Sequence, residues 1–232
     1  PEEVECVLGQ DTDPVVLEEG SLRMQIRFKD TRHPGLFLDH EPLRTWLMQN
    51  RVGDRVLNLF AYTGSLSIAA ARGGAKHVTT LDLSKPTIDW ARHNWELNSL
   101  ARVEARFIAE DAFRGLGRLA KVGEKFDAII LDPPSFSRSK EGKTFSTAKD
   151  LEALHEAVFK VVNPAGAWVI TSINSANRSH EQFAKDILMA AKRQKLHVQV
   201  HRQIDAPETF PTRLAQPEER YLKGWVLRVS AP

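Results

Sequence analysis

DRVLNLFAYTGSLSIAAARGG, residues 54–74, is the stretch that decides the fold of this chain. Residues 54–60 form an apolar run, which predicts a strand inside a parallel sheet, where both faces are buried. Residues 65–72 are rich in alanine and predict a helix that ends at Gly73-Gly74. Parallel strands are joined by long right-handed crossovers that usually contain a helix, so this strand–helix unit predicts a parallel sheet.

The same unit recurs along the chain. Further strands are predicted at residues 77–81, 103–108, 126–131 and 167–172, and helices at residues 86–97, 112–120, 151–162 and 182–191. Two closing strands, 196–203 and 221–229, have no helix between them and are predicted to pair antiparallel at one edge. The sequence therefore predicts an α/β fold of the Rossmann-like kind, a mostly parallel seven-stranded sheet with helices on both faces.

Residues 1–32 precede this pattern and differ from it. Short strands are predicted at residues 4–8, 15–17 and 22–28, the last two joined by a turn at residues 18–20. We therefore predict a small N-terminal β appendage, residues 1–32, followed by the main domain, residues 33–232.

Composition is that of a soluble globular protein, since the 232 residues are 42% hydrophobic and 27% charged. No apolar run approaches the roughly 20 residues that cross a bilayer, and the N-terminus lacks the order of a signal peptide, so a cytoplasmic enzyme is predicted. The single cysteine, Cys6, excludes an internal disulfide and a multi-cysteine zinc site. The 8 histidines form no close pair at metal-ligand spacing, so structural or surface roles are expected for them and no metal is predicted.

Charge is unevenly distributed, although the formal net charge is only +2. Residues 1–20 carry seven carboxylates and no lysine or arginine, whereas residues 138–149 and 178–202 are locally basic. Such excesses attract a polyanion, but they are equally compatible with an ordinary solvated surface. Charge alone leaves both interpretations open.

Polar residues follow several predicted strands at the carboxyl end, where open α/β sheets bind ligands. After the first strand, Gly64 allows a tight turn, and the amides that start the next helix can hold a carboxylate. Asp82, after the second strand, can accept hydrogen bonds from both hydroxyls of a ribose, and Asp111, after the third, from an adenine amino group. The alternative is structural: a plain turn at Gly64, and helix caps at Ser84 and Asp111. The absence of GxGxxG argues against a nicotinamide cofactor.

Asp132-Pro133-Pro134-Ser135-Phe136, after the fourth strand, is the most specific motif in the chain. The two prolines remove two N–H donors and make the turn rigid. Such a rim can offer a carboxylate and backbone carbonyls to an amine or a ring N–H, and Phe136 offers a face on which a flipped base can stack. A purely structural turn is the alternative, but four polar loops after four strands together favour a ligand site.

The segments NLFAYTGSLS, LDLSKPTIDWARHN, AEDAF and LDPPSFSRSK, in this order, resemble the class I S-adenosylmethionine-dependent methyltransferases that act on 23S ribosomal RNA. Residues 35–40 and 219–224 belong to the same resemblance, which covers about residues 33–229. It implies S-adenosylmethionine as cofactor and ribosomal RNA as partner. It also implies that the cofactor is bound by Phe37, Asp39, Asn58, Phe60, Tyr62, Thr63, Gly64, Asp82, Ser84, Asp111 and Asp132.

Two branches of this family differ in the atom that they methylate. The cytosine-C5 branch places a cysteine nucleophile just after the fifth strand, where residues 171–177 of this chain contain none. The DPPSFSRSK stretch is closer to the guanine-N7 branch, the C-terminal half of a bifunctional ribosomal RNA methyltransferase. Guanine N7 carries its own lone pair, so that reaction needs alignment and electrostatics rather than a base. Guanine N7 is therefore the predicted target.

The predicted catalytic residues are Asp132, Pro133, Pro134 and Phe136, which would hold the flipped base. The predicted substrate contacts are Asn174 and Asn177 on the base edge, and Arg138, Lys140 and Lys143 on phosphates. Neither a PUA nor a THUMP domain is recognisable in residues 1–32. A small-molecule or protein methyltransferase, and an RNA-binding scaffold without cofactor, are the alternative functions.

Overall fold

The computed structural model describes residues 8–29, 33–138, 144–175, 178–209 and 221–232. The strands are β1 Val15–Glu19, β2 Leu22–Ile26, β3 Arg55–Leu59, β4 His77–Asp82, β5 Glu104–Ala109, β6 Ala128–Leu131, β7 Phe136–Arg138, β8 Thr144–Ser146, β9 Ala167–Asn174, β10 His197–Ile204 and β11 Leu222–Ser230. The helices are α1 Glu41–Gln49, α2 Ser65–Arg72, α3 Lys85–Leu97, α4 Ala112–Lys121, α5 Leu151–Phe159 and α6 His180–Arg193, with a 3-10 turn at Leu38–His40 before α1. None of these helices is both long enough and apolar enough to cross a membrane.

Seven strands form the main sheet in the order β10-β11-β9-β6-β3-β4-β5. β3 pairs in parallel with β4 and β6, β4 with β5, and β6 with β9. β11 is antiparallel to both β9 and β10 and lies between them. The predicted Rossmann-like sheet with an antiparallel pair at one edge is confirmed. Because β4 and β6 flank β3 on opposite sides, the chain changes direction at β3, which is where such sheets open a ligand crevice.

Helices cover both faces of the sheet. Successive side chains of a strand point to opposite faces, and the central strands carry apolar side chains on both, so each face needs a cover. Leu57, Leu59 and Ile129 are fully buried on one face, in a cluster that includes α4, α5 and α6. Val56 and Ile130 are buried on the other face, with α1 and α2. The continuous apolar runs in the sequence are therefore explained by burial on both sides.

The β1–β2 hairpin packs against the main sheet's helices through its apolar face. Leu22, Met24 and Ile26 are buried with α1 and α2. The backbone of β2 also pairs with two asparagines at the C-terminal end of α3. The Oδ1 atom of Asn98, the C-cap residue, accepts from the Arg23 N–H at 3.0 Å, and Asn94 Oδ1 accepts from the Gln25 N–H at 2.8 Å. Asparagines four residues apart share one helix face, so they satisfy a strand edge that would otherwise be open. The division of the chain at residue 32 stays a prediction.

Some elements differ from the prediction. Helix α1 was not predicted, because its buried face contains a charged residue, Arg44, that interrupts the apolar periodicity. Helix α6 starts at His180 rather than at residue 182, since Ser179 caps it and forms a capping box with Gln182. The short hairpin of β7 and β8 was not predicted either. The predicted strand at residues 4–8 falls almost entirely outside the described residues.

Candidate active site

A cavity of about 540 Å³ opens at the carboxyl ends of β3, β4 and β6, where the sheet topology places a crevice. The structure brings most of the predicted site residues together around it. Those that line it are Phe37, Asp39, Asn58, Phe60, Tyr62, Asp82, Ser84, Asp111, Asp132, Pro133, Pro134 and Asn174. Thr63, Gly64 and Phe136 are not among the lining residues.

The loop between β3 and α2 forms the floor of the cavity in a strained backbone conformation. Phe60 and Tyr62 have φ angles of 55° and 47°, a region that side chains disfavour and that is often found at functional sites. Gly64, with φ at 82°, starts α2 without a side-chain cap in the described chain. Ser65 and Leu66, the first residues of α2, line the cavity, and the N–H groups of an uncapped helix start favour an anion there.

Asn58 presents an unsatisfied acceptor at the same floor. Its side chain is buried, and its Nδ2 donates to the Ser67 hydroxyl at 2.9 Å. Its Oδ1 has no hydrogen-bond partner among the described residues. A buried oxygen without a partner is costly in free energy, so this atom favours a ligand that carries a donor, such as an ammonium group.

Asp82 ties the β3–α2 loop to the end of β4. Its carboxylate accepts from the backbone N–H of Tyr62 and of Ser84, both at 3.0 Å. Burial raises the pKa of Asp82 above its ordinary value, and these N–H groups offset only part of that effect. Asp82 lines the cavity, and its remaining acceptor capacity is available to a donor on a ligand.

Ser84 and Asp111 are helix caps as well as cavity residues. Ser84 Oγ accepts from the Thr87 N–H at 3.3 Å at the start of α3. Asp111 Oδ1 accepts from the N–H groups of Phe113 and Arg114 at 3.0 and 3.1 Å at the start of α4. A residue can cap a helix and contact a ligand as well, because each of these caps also lies at the carboxyl end of a strand, where the cavity opens.

The wall opposite the sheet is built by residues 33–37, which are fastened to the β3–α2 loop. The Tyr62 hydroxyl donates to the carbonyl of His33, and Thr63 Oγ1 donates to that of Gly35, each at 2.6 Å. The rings of Phe37 and Tyr62 lie 5.2 Å apart. Thr63 is buried behind the cavity, so its observed contact is to this wall.

Asp132 and His40 line the cavity at one end, which we call the acceptor end because the sequence analysis predicts that the base binds there. His40 was not among the predicted site residues. Ser172 Oγ donates to Asp132 Oδ1 at 2.7 Å, and His40 Nε2 lies 3.5 Å from Asp132 Oδ2. Burial favours the neutral imidazole, but Asp132 and Asp39 outweigh it and raise the pKa of His40 to about 10. Burial raises the pKa of Asp132, but His40 and Ser172 more than reverse this, so the net shift is downward. The expectation of a merely structural or surface role for this histidine overlooked its place in the cavity wall.

The Asp132-Pro133-Pro134 turn continues into an exposed edge. Ser135 Oγ donates to the Asn174 carbonyl at 2.5 Å and so joins the turn to the end of β9. Phe136 follows the cavity-lining Ser135, starts β7 and is 63% exposed. Among the other predicted substrate contacts, Arg138 ends β7. Lys140, Lys143 and Asn177 lie outside the described residues. Within the described ranges, no group of three or more histidine, cysteine or carboxylate side chains is arranged to hold a metal ion.

Known proteins share this architecture. A family model described as S-adenosylmethionine-dependent methyltransferase matches residues 3–217. The ribosomal RNA large subunit methyltransferase I of Aeromonas salmonicida is 34% identical over 217 residues, 94% of this chain and 54% of that protein. The large subunit methyltransferase K/L of Pseudoalteromonas translucida is 36% identical over 172 residues, 74% of this chain and 24% of that protein. The chain thus spans about half the length of the methyltransferase I relatives it matches.

Solved structures agree. The crystal structure of SMU.776 complexed with SAH (S-adenosylhomocysteine) superposes with a TM-score of 0.88 at 28% identity, covering 96% of this chain and 58% of that one. The fold is therefore that of a methyltransferase. It has a Rossmann-like sheet with one inserted antiparallel strand and a cavity at the carboxyl ends of the parallel strands. This chain belongs to the S-adenosylmethionine-dependent methyltransferase family, and S-adenosylmethionine is its cofactor.

The cavity fits that cofactor. The unpartnered Oδ1 of Asn58 suits an ammonium group, the uncapped start of α2 suits a carboxylate, and the Asp82 carboxylate suits ribose hydroxyls. When bound, S-adenosylmethionine supplies a methyl group on a positively charged sulfur. The residues of the chain bind and orient it, and they shape the acceptor end.

Proposed function

We propose that this chain methylates a nucleobase of 23S ribosomal RNA with S-adenosylmethionine in the cytoplasm, and that guanine N7 is the target atom. The observation that carries the choice of atom is the acceptor end of the cavity, where Ser172 and His40 lie against the Asp132 carboxyl group and no cysteine follows β9 in the sequence. The names of the two relatives, both large-subunit ribosomal RNA methyltransferases, support the choice of substrate.

The charge state of Asp132 favours an acceptor atom that carries its own lone pair. Because His40 and Ser172 lower the pKa of this carboxyl, it is a weak base near neutral pH. Guanine N7 needs no proton removed before it is methylated. It does become positively charged during the transfer, and a fixed carboxylate nearby stabilises that charge.

The residues at the end of β9 disfavour cytosine C5 as the target, because that reaction needs a thiolate to attack C6. Thr171 Oγ1 instead forms a hydrogen bond with Nε2 of the buried His155 at 3.0 Å. The Ser172 hydroxyl donates a hydrogen bond to Asp132. Asn174 ends the strand at the cavity. Cys6, the one cysteine of the sequence, lies outside the described residues.

RNA binding is supported by the exposed Phe136, which follows the cavity-lining Ser135, and by the basic residues that follow Asp132 in the sequence. The second basic stretch supports it less. Arg178 forms an ion pair with Asp186, and Arg193 pairs with Glu152 at 2.7 Å. The end of α6 also lies at the opposite end of the sheet, because the helix runs back from the carboxyl end of β9.

The acceptor atom is tested by nucleoside mass spectrometry of large-subunit RNA from a strain that lacks this gene, methylated in vitro by the purified chain. We expect 7-methylguanosine to accumulate with time. Accumulation of 5-methylcytidine instead would contradict the proposed atom. If methyl groups from the cofactor appear in a protein or a small molecule of the lysate and not in RNA, the proposed substrate class is wrong.

The proposed cofactor contacts are tested first at Asp82. Asp82→Ala should raise the Kd for S-adenosylmethionine by at least roughly 10- to 100-fold, because even one hydrogen bond to a charged group contributes about 1.5–3 kcal/mol. Isothermal titration calorimetry measures this Kd. Glu104→Gln is the matched control, since Glu104 is an exposed carboxylate at the start of β5, at the far end of the sheet. A Kd for Asp82→Ala within twofold of the control would rule out the ribose contact.

A further inference from the structure

His40 lies buried between two carboxylates and a hydroxyl that come from three parts of the fold. Its Nδ1 is 3.2 Å from Asp39 Oδ1 within the same 3-10 turn. Its Nε2 is 3.2 Å from Ser172 Oγ on β9 and 3.5 Å from Asp132 Oδ2 after β6. Since Ser172 Oγ donates to Asp132 Oδ1, the hydroxyl accepts from His40 and passes a hydrogen bond on to the carboxylate.

This arrangement requires a positive charge on the imidazole. Asp39 and Asp132 are the charged groups that face His40 among the described residues, and Ser172 is neutral. With a neutral ring, two carboxylates would share a poorly solvated site without a counter-charge between them. A protonated ring donates from both nitrogens, one towards each side, and so matches both partners.

We propose that His40 is a positioning residue for methyl transfer: as an imidazolium anchored by Asp39, it keeps Asp132 ionised and turned into the cavity. This inference rests on the proposed function, because it acts through the role of Asp132 at the acceptor base. His40 itself need not touch the base. Under this proposal, the charge of Asp132 depends on His40, which lies just before α1 and far from Asp132 in the sequence.

A structural role for His40 predicts a different result from a positioning role. If the histidine only filled space, glutamine would replace it with some loss of stability and an unchanged dependence of activity on pH. If His40 holds Asp132 ionised, His40→Gln removes the adjacent cation and the pKa of Asp132 rises. The acidic limb of kcat/KM then moves to higher pH, because activity needs the ionised carboxylate.

The first test measures the charge of His40 without any RNA. In a ¹⁵N-labelled sample, the His40 ring resonances are assigned by their loss in His40→Gln and followed from pH 5 to pH 10. We expect the wild-type ring to stay protonated through pH 8, and its pKa to fall by at least one unit in Asp132→Asn. A wild-type His40 that titrates near its ordinary pKa of about 6.5 would overturn the inference.

The second test compares pH profiles of methyl transfer. His40→Gln should lower kcat by about 10-fold or more with a smaller effect on the KM for the cofactor, and should shift the acidic limb upward. Asp39→Asn keeps the imidazole but removes the carboxylate beside its Nδ1. It should also lower kcat and shift the acidic limb upward, each by less than His40→Gln does. This variant serves as the test if His40→Gln does not fold. An unchanged acidic limb in the folded variants would overturn the inference.

Failure of the proposed function is distinguishable from failure of this inference. If His40 stays charged and responds to Asp132→Asn while the modified nucleoside is 5-methylcytidine, the proposed atom is wrong and the coupling of His40 to Asp132 is supported. If 7-methylguanosine forms while His40 titrates in the ordinary range, the proposed function is supported and the positioning role is wrong.

Discussion

Asp132→Asn is expected to lower kcat/KM for methyl transfer by roughly 100- to 1000-fold while the chain stays folded. Asparagine has the same shape and can still accept the hydrogen bond of Ser172, but it carries no charge. The acceptor base then becomes cationic without a carboxylate beside it, and His40 faces an amide instead of a counter-ion. A radiolabelled methyl-transfer assay on unmodified large-subunit RNA measures the loss.

The matched control for this substitution is Asp89→Asn. Asp89 undergoes the same chemical change, but it lies exposed on α3, in a surface ion pair with Lys85 at 2.8 Å. Such a pair contributes at most about 1 kcal/mol, so activity should stay within twofold of wild type. If Asp132→Asn behaves like Asp89→Asn, Asp132 has no part in the transfer.

Glu19→Gln is expected to lower the free energy of unfolding by about 3 kcal/mol, because it removes the counter-charge of a fully buried guanidinium. Arg44 donates to both carboxylate oxygens of Glu19 at 2.6 Å and to the carbonyl of Phe37 at 2.7 Å. The same loss should loosen Phe37 in the cavity wall and raise the Kd for S-adenosylmethionine several-fold. Urea unfolding followed by tryptophan fluorescence measures the first effect, and calorimetry measures the second.

Glu18→Gln controls for this prediction at the neighbouring position. Glu18 pairs with Arg23 at 3.3 Å, but both side chains are at least half exposed, so the pair contributes little. Equal unfolding free energies for Glu18→Gln and Glu19→Gln would contradict the argument. The double variant Glu19→Gln, Arg44→Met should recover part of the loss, because it no longer buries a lone charge.

Much of the fold was predictable because its signals are local. Buried strands such as residues 54–60 are recognisable from their composition, and the helices between them from periodicity and caps. Helix α1 was missed because the buried Arg44 is stabilised by Glu19, a partner that lies before the predicted domain boundary. The position of β11 inside the sheet was not predictable, since the pairing of distant strands leaves no mark in either strand alone.

The candidate site was predictable to a similar degree. The loops after β3, β4 and β6 could be found because each carries a polar residue at a strand end, and the structure brings them to one cavity. The contacts of His40 could not be predicted, because its partners, Asp132 after β6 and Ser172 on β9, lie far along the chain. Only the parallel register of β6 and β9 places those two side chains beside the turn before α1.

The insertion of β11 between β9 and β10 affects the order in which the sheet can form during synthesis. β9 leaves the ribosome with only β6 as a neighbour, and β10 has no partner until residues 222–230 follow. Until then, an apolar strand edge stays open, the kind of surface that aggregates or recruits chaperones. Because β9 carries Ser172 and Asn174, the acceptor end of the cavity is completed late. The loops after β3 and β4 can therefore form in a nascent chain before the Asp132 end of the cavity is complete.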